Sequence, residues 1–144
     1  MKRFLFFCLF IFVFVSCSSL RDVNVEDKDL LNRYWKLVQI DNNIVITREN
    51  KREPHIVFQS KRNRVHGFAG CNGFSTTYKI EADTITFNPF ATTRMFCYKK
   101  GEVNVEALFL KLLSSPVRFT LSQENLELSN KKTGQRALFK AVYF

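Results

Sequence analysis

Beyond residue 28, helical periodicity occurs once in this sequence while the other apolar runs alternate, so the fold is β-rich with a single packed helix. Between positions 102 and 113, Val105, Leu108, Phe109 and Leu112 fall at i, i+3, i+4 and i+7. Val103, Leu110 and Leu113 widen that stripe, which predicts a helix set deep against a sheet. Glu102 and Glu106 near its start and Lys111 near its end suit the macrodipole, and Ser114-Ser115-Pro116 ends it.

Elsewhere the period is two. Phe74, Thr76, Tyr78 and Ile80 share one face of a strand, with Ser75, Thr77 and Lys79 on the other. Trp35 and Leu37 share a face in 34–40, which Asp41-Asn42-Asn43 ends, and 44–47 is predicted to pair back as a short strand. Segments 56–59 and 64–68 flank Ser60-Lys61-Arg62-Asn63, a hairpin signal. Segment 84–87 stops at Asn88-Pro89. Three strands, 117–121, 126–129 and 135–143, close the chain across two polar turns. The expected fold class is α+β, mainly antiparallel β: a strongly curved sheet or partly closed barrel of roughly seven to nine short strands with one packed helix.

The N-terminus is an address. Met1-Lys2-Arg3 precedes an unbroken apolar run over 4–15, short for a permanent bilayer span. The run ends in Phe14-Val15-Ser16-Cys17, which resembles the lipobox of bacterial lipoproteins although Leu is usual where Phe14 stands. The predicted organisation is a signal peptide over 1–16, a lipidated Cys17 with a flexible tether to residue 28, and one domain over 29–144. The expected location is the bacterial cell envelope, lipid-anchored, in the outer membrane rather than the inner. The formal charge of +9 includes Lys2 and Arg3 and no acid lies in 1–17, so the remainder carries +7. Export argues against nucleic acid as the partner of these cations. They cluster in turn-like stretches such as Lys61-Arg62-Asn63-Arg64 and read as solvated loop tips, with anionic lipid or polysaccharide as the weaker alternative.

Two segments carry the candidate chemistry. Gly67-Phe68-Ala69-Gly70-Cys71-Asn72-Gly73-Phe74 holds three glycines, implying close backbone approach or positive φ, and Thr92-Thr93-Arg94-Met95-Phe96-Cys97 supplies a second cysteine. With Cys8 in the signal and Cys17 lipidated, Cys71 and Cys97 are left either as a disulfide or as two buried thiols. Bonded, they close a loop of about 27 residues, worth roughly 3.5 kcal/mol on the chain-entropy account. Asn72 reads as a cap of its own loop. A recognition reading makes Gly70, Asn72, Gly73 and Arg94 an anion-binding loop, with Arg94 alternatively anchoring loop carbonyls or pairing with Glu106. Nothing in the spacing brings Cys71 to His66 as nucleophile and base, so no catalytic residue is assigned. His55, His66, Cys71 and Cys97 lack metal-ligand spacing, and no metal or cofactor is expected.

These motifs together resemble the META domain, or HslJ-like, family of small exported bacterial proteins. The resemblance rests on Trp35-x-Leu37, Gly67-x-x-Gly70-Cys71-Asn72-x-Phe74 with Tyr78, Thr92-Thr93-Arg94-Met95-x-Cys97, and Glu106 with Phe109. Thr76, Gly73 and Tyr98 depart from the family pattern. The resemblance implies a barrel-like α+β fold, a tethered or secreted location and no established catalytic activity. The leading expectation is a non-enzymatic envelope lipoprotein, accessory or stress-associated, that binds an envelope protein or component through its rim or glycine loop. The alternatives are a carrier of small hydrophobic ligands with Phe74, Phe87, Phe90 and Phe109 around a void, and a redox role for Cys71 and Cys97.

Overall fold

A computed structural model describes residues 27–97 and 102–144, so the expectations for the signal peptide, Cys17 and nearly all of the tether lie outside the described residues. After a short turn of helix, α1 (Asp27–Leu30), the strands are β1 (Tyr34–Ile40), β2 (Asn43–Ile44), β3 (His55–Gln59), β4 (Arg64–Phe68), β5 (Gly73–Glu81), β6 (Thr84–Phe87) and β7 (Ala91–Thr92). Helix α2 (Val105–Leu113) follows, then β8 (Val117–Ser122), β9 (Asn125–Ser129) and β10 (Arg136–Val142).

All pairings between strands are antiparallel, in the order β10-β9-β8-β6-β5-β4-β3-β1, and β10 returns to pair with β1. The result is a closed eight-stranded barrel, with β2 added to β1 and β7 to β5. The curved-sheet expectation is met in its fully closed form.

The alternating pattern becomes the inside of this barrel. On β5, Phe74 and Tyr78 turn inward, and on β1, Trp35 and Leu37 do so. Ile40 is also fully buried, three residues after Leu37, because the β1–β10 register shifts between Leu37 and Gln39 and carries it back to the inner face. Trp35 Nε1 donates to the Leu30 carbonyl at 2.9 Å, which satisfies the one polar atom of a fully buried indole.

The helix begins later than its pattern suggests. Asn104 caps it by accepting the Ala107 N–H at 2.9 Å, so α2 starts at Val105. Glu102 and Val103 therefore precede the helix: Glu102 pairs with Arg48 at 2.6 Å, and Val103 is exposed. Strand β2 is likewise two residues long and covers 43–44 rather than 44–47.

Helix α2 packs on β1 and β10 and sends Phe109, Leu112 and Leu113 into the core. Phe109 meets Phe139 at 5.5 Å and Phe74 edge-on at 5.6 Å, Phe74 meets Phe90 at 5.7 Å, and Phe90 meets Phe87 at 5.8 Å. The four phenylalanines that a ligand carrier would need around a void form one continuous run of ring contacts. A small barrel filled by its own side chains is the ordinary outcome at this strand number.

Candidate functional site

The glycine-rich loop joins β4 to β5 at one end of the barrel, and its glycines differ in what requires them. At Gly67 a Cβ would stand 2.2 Å from the His55 carbonyl oxygen and 2.6 Å from the Phe74 ring, so no side chain fits. Gly70 has φ +122°, a conformation that side-chain-bearing residues rarely adopt. Gly73 needs neither exemption: its Cβ would meet only ordinary contact at 3.7 Å.

The turn at Gly70 aims successive backbone N–H groups at one point, and a carboxylate occupies it. Glu106, in the first turn of α2, accepts from Cys71 N at 3.1 Å and Asn72 N at 2.5 Å through Oε2, and from Asn72 Nδ2 at 2.9 Å through Oε1. Oriented amides of this kind form an anion site, and a position near a helix N-terminus further favours negative charge. The anion bound by this loop is the protein's own.

Asn72 is only 5% exposed, and its amide is used on every side. Its Oδ1 accepts from Met95 N at 2.7 Å and Thr93 Oγ1 at 2.7 Å, while Nδ2 donates to Met95 O at 3.0 Å besides Glu106. Because Met95 offers both its N–H and its C=O, the amide can satisfy them in one orientation only. Instead of capping its own loop, Asn72 is a strut joining three segments: the glycine loop, residues 93–95 and α2. Thr93 adds two bonds, N–H to Gly73 O at 3.1 Å and Oγ1 from Gly73 N at 3.2 Å.

The disulfide closes the same assembly. Cys71 and Cys97 are bonded with their Cα atoms 5.7 Å apart, within the usual span for such a bridge. The bond takes up the sulfur that the Cys71–His66 pairing would have used as a nucleophile.

Of the anion-loop residues expected from sequence, Gly70, Asn72 and Gly73 lie together, whereas Arg94 is exposed and forms no ion pair among the described residues. Glu106 is expected near the helix start with Arg94 as one alternative partner; the loop amides hold it instead. The residues that the sequence names only within a motif, without a role of their own, are Met95 and Phe96, 58% and 91% exposed, at the outer edge of the pinned segment. Their signal was faint: two large apolar residues between an arginine and a cysteine, in a stretch without alternation.

The histidines lie on the adjoining strands, His55 opposite Phe68 and His66 opposite Ser75, and neither side chain joins the Asn72–Glu106 network. His55 is buried under the Tyr34 ring at 4.2 Å, with Nδ1 on the Glu53 carbonyl at 2.9 Å. Burial lowers its pKa, with Arg52 and His66 adding to the effect against the Glu53 carbonyl, which opposes it. His66 is lowered by burial and then by Arg64 and Arg52. Burial also pushes Tyr34 up to about 12, helped by the charge and hydrogen bond of Glu53.

A family model described as the META domain matches residues 28–143. The chain belongs to the META domain family. Two solved structures share the META domain fold seen here. One protein determined by NMR is 23% identical with a TM-score of 0.65, and the match covers 81% of this chain and 94% of that one. A second, from Burkholderia xenovorans and also determined by NMR, is 17% identical with a TM-score of 0.66, covering 81% and 86%. No curated protein matches in sequence.

Proposed function

We propose that this META domain protein is a non-enzymatic, exported binding module, tethered to a bacterial membrane through an acylated Cys17, that meets an envelope protein at the 92–97 segment. The observation that supports this is the presentation of Met95 and Phe96. Large exposed apolar side chains on a loose loop carry little meaning, but these project from backbone held by Asn72, Thr93 and the Cys71–Cys97 bond. A contact ordered before the partner arrives avoids the entropy of ordering a loop on binding, and aromatic side chains are the usual energetic centres of interfaces. The filled barrel interior favours this surface over a carrier role.

The lipobox-like sequence supports the tether. About a dozen residues separate Cys17 from the domain, and a chain of that length spans at most roughly 40 Å, so a partner would be met close to the membrane.

Two measurements test the reading. Intact mass of protein extracted from native membranes, with thiols blocked before lysis, is expected to show signal removal, acyl mass on Cys17 and alkylation of Cys71 and Cys97 only after reduction. A photo-crosslinking residue at position 96 is expected to give one discrete envelope-protein adduct that the same probe at Lys79 does not give and that Met95→Ser abolishes. An unlipidated product overturns the tether. Identical adducts from positions 96 and 79 overturn the binding surface.

A further inference from the structure

The turn between β3 and β4 lies at the opposite end of β4 from the glycine loop and has a different electrostatic character. Gln59, Lys61, Arg62 and Arg64 line a pocket of about 200 Å³ there, with no carboxylate among its lining residues. Three cations thus share one small concavity. Several basic residues elsewhere are paired, Arg33 with Asp29, Lys36 with Glu53, Arg118 with Asp83 and Arg136 with Glu127, whereas others among the described residues, such as Arg94, stand singly on the surface. Among the described residues Lys61, Arg62 and Arg64 have no such partner.

The pocket is held from below. Tyr78 Oη donates to the Gln59 carbonyl at 3.2 Å, and Asn32 binds Ser60 through both Nδ2 to Oγ at 3.2 Å and Oδ1 from N at 3.3 Å. Its backbone is also unusual for the residue it carries: Arg62 sits at φ +59°, a left-handed position in which glycine or asparagine costs less. Beside the pocket on β4, His66 has its pKa lowered by burial first and then by the nearby charges of Arg64 and Arg52.

We propose that this pocket is a binding site for a phosphate group. Its volume falls below the roughly 300 Å³ typical of organic-ligand sites, which suits one compact anionic group. Guanidinium forks match phosphate oxygens two at a time, and the Lys61 ammonium and Gln59 amide supply further donors for a tetrahedral anion. The group can belong to a soluble phosphoester or to a phospholipid headgroup. This site is separate from Met95 and Phe96, and it stands or falls independently of the binding surface proposed there.

Titration of the domain with inorganic phosphate and with glycerol phosphate, followed by amide chemical shifts at constant ionic strength, tests it. The expected result is a saturable shift confined to residues 59–64, absent with chloride and lost in Arg62→Asn/Arg64→Gln. Asparagine tolerates the left-handed conformation, so this variant is expected to keep the wild-type Tm. Sedimentation with phosphatidylglycerol vesicles against phosphatidylcholine vesicles distinguishes the source: anionic-vesicle binding reduced at least about tenfold by the double variant, without a shift from the soluble compounds, assigns the headgroup. Non-saturable shifts spread over the surface lysines with vesicle binding unchanged in the variant, or no binding in either experiment, overturn the proposal.

Discussion

The barrel interior and the Asn72–Glu106 junction are both withdrawn from water, yet they are held by different physics. Inside the barrel, Trp35, Phe58, Phe109 and Phe139 are fully buried and stabilise by apolar area and close packing, quantities that change gradually with side-chain volume. At the junction, Asn72 is nearly as buried, but its contribution depends on every donor and acceptor meeting a partner. The interior tolerates a change of shape in proportion to its size. The junction, once one partner is removed, leaves several others unmatched.

The largest effect is expected in the interior. Phe109→Ala should destabilise by about 3–5 kcal/mol and Phe109→Leu by much less, as read by urea unfolding, because the loss follows the cavity left between Phe74 and Phe139. Equal losses from the two variants would break the contrast with the junction.

At the junction, Cys71→Ser/Cys97→Ser should cost about 3.5 kcal/mol, and Asn72→Ala roughly 2–3 kcal/mol by leaving Glu106 and Met95 without their amide. Because both changes release residues 93–97, the losses should not add: a double-mutant cycle should return a coupling of about 1 kcal/mol or more. Additive losses would mean that the disulfide and the strut act as separate staples.

The smallest effect lies outside both regions, on the outer face of β3 and β4. His55 and His66 bind protons less readily folded than unfolded, so their contribution is fully present above about pH 6.5 and declines as the pH falls below it. Denaturation midpoints at about pH 7.5 and pH 5 should therefore show lower stability at the acid end, with a shallower slope in His66→Gln. A slope of the opposite sign would place these imidazoles in contact with a compensating negative charge.

Much of the interior was legible in the sequence because strand alternation is local: Phe74 and Tyr78 state their own orientation, and the i, i+3, i+4, i+7 stripe states that of α2. Ile40 was not, since its burial depends on a register shift against β10, nearly a hundred residues away. The helix start turned on one side chain, Asn104, which outweighed the apolar Val103 before it. The site divided in the same way. Its glycines and cysteines could be singled out by residue type, but the acceptor of the loop amides is a carboxylate from another element. Local sequence offered Glu106 to Arg94 as readily as to Cys71 and Asn72.

Closure of β10 onto β1 also restricts the manner of recognition. Each barrel strand has hydrogen-bonded neighbours on both sides, and the added edge strands β2 and β7 are two residues long. A partner therefore finds almost no backbone on which to add a strand, the mode that makes affinity depend on main-chain geometry. Recognition is left to side chains at loops and turns, so its selectivity can be rewritten by surface substitutions that leave the barrel unchanged.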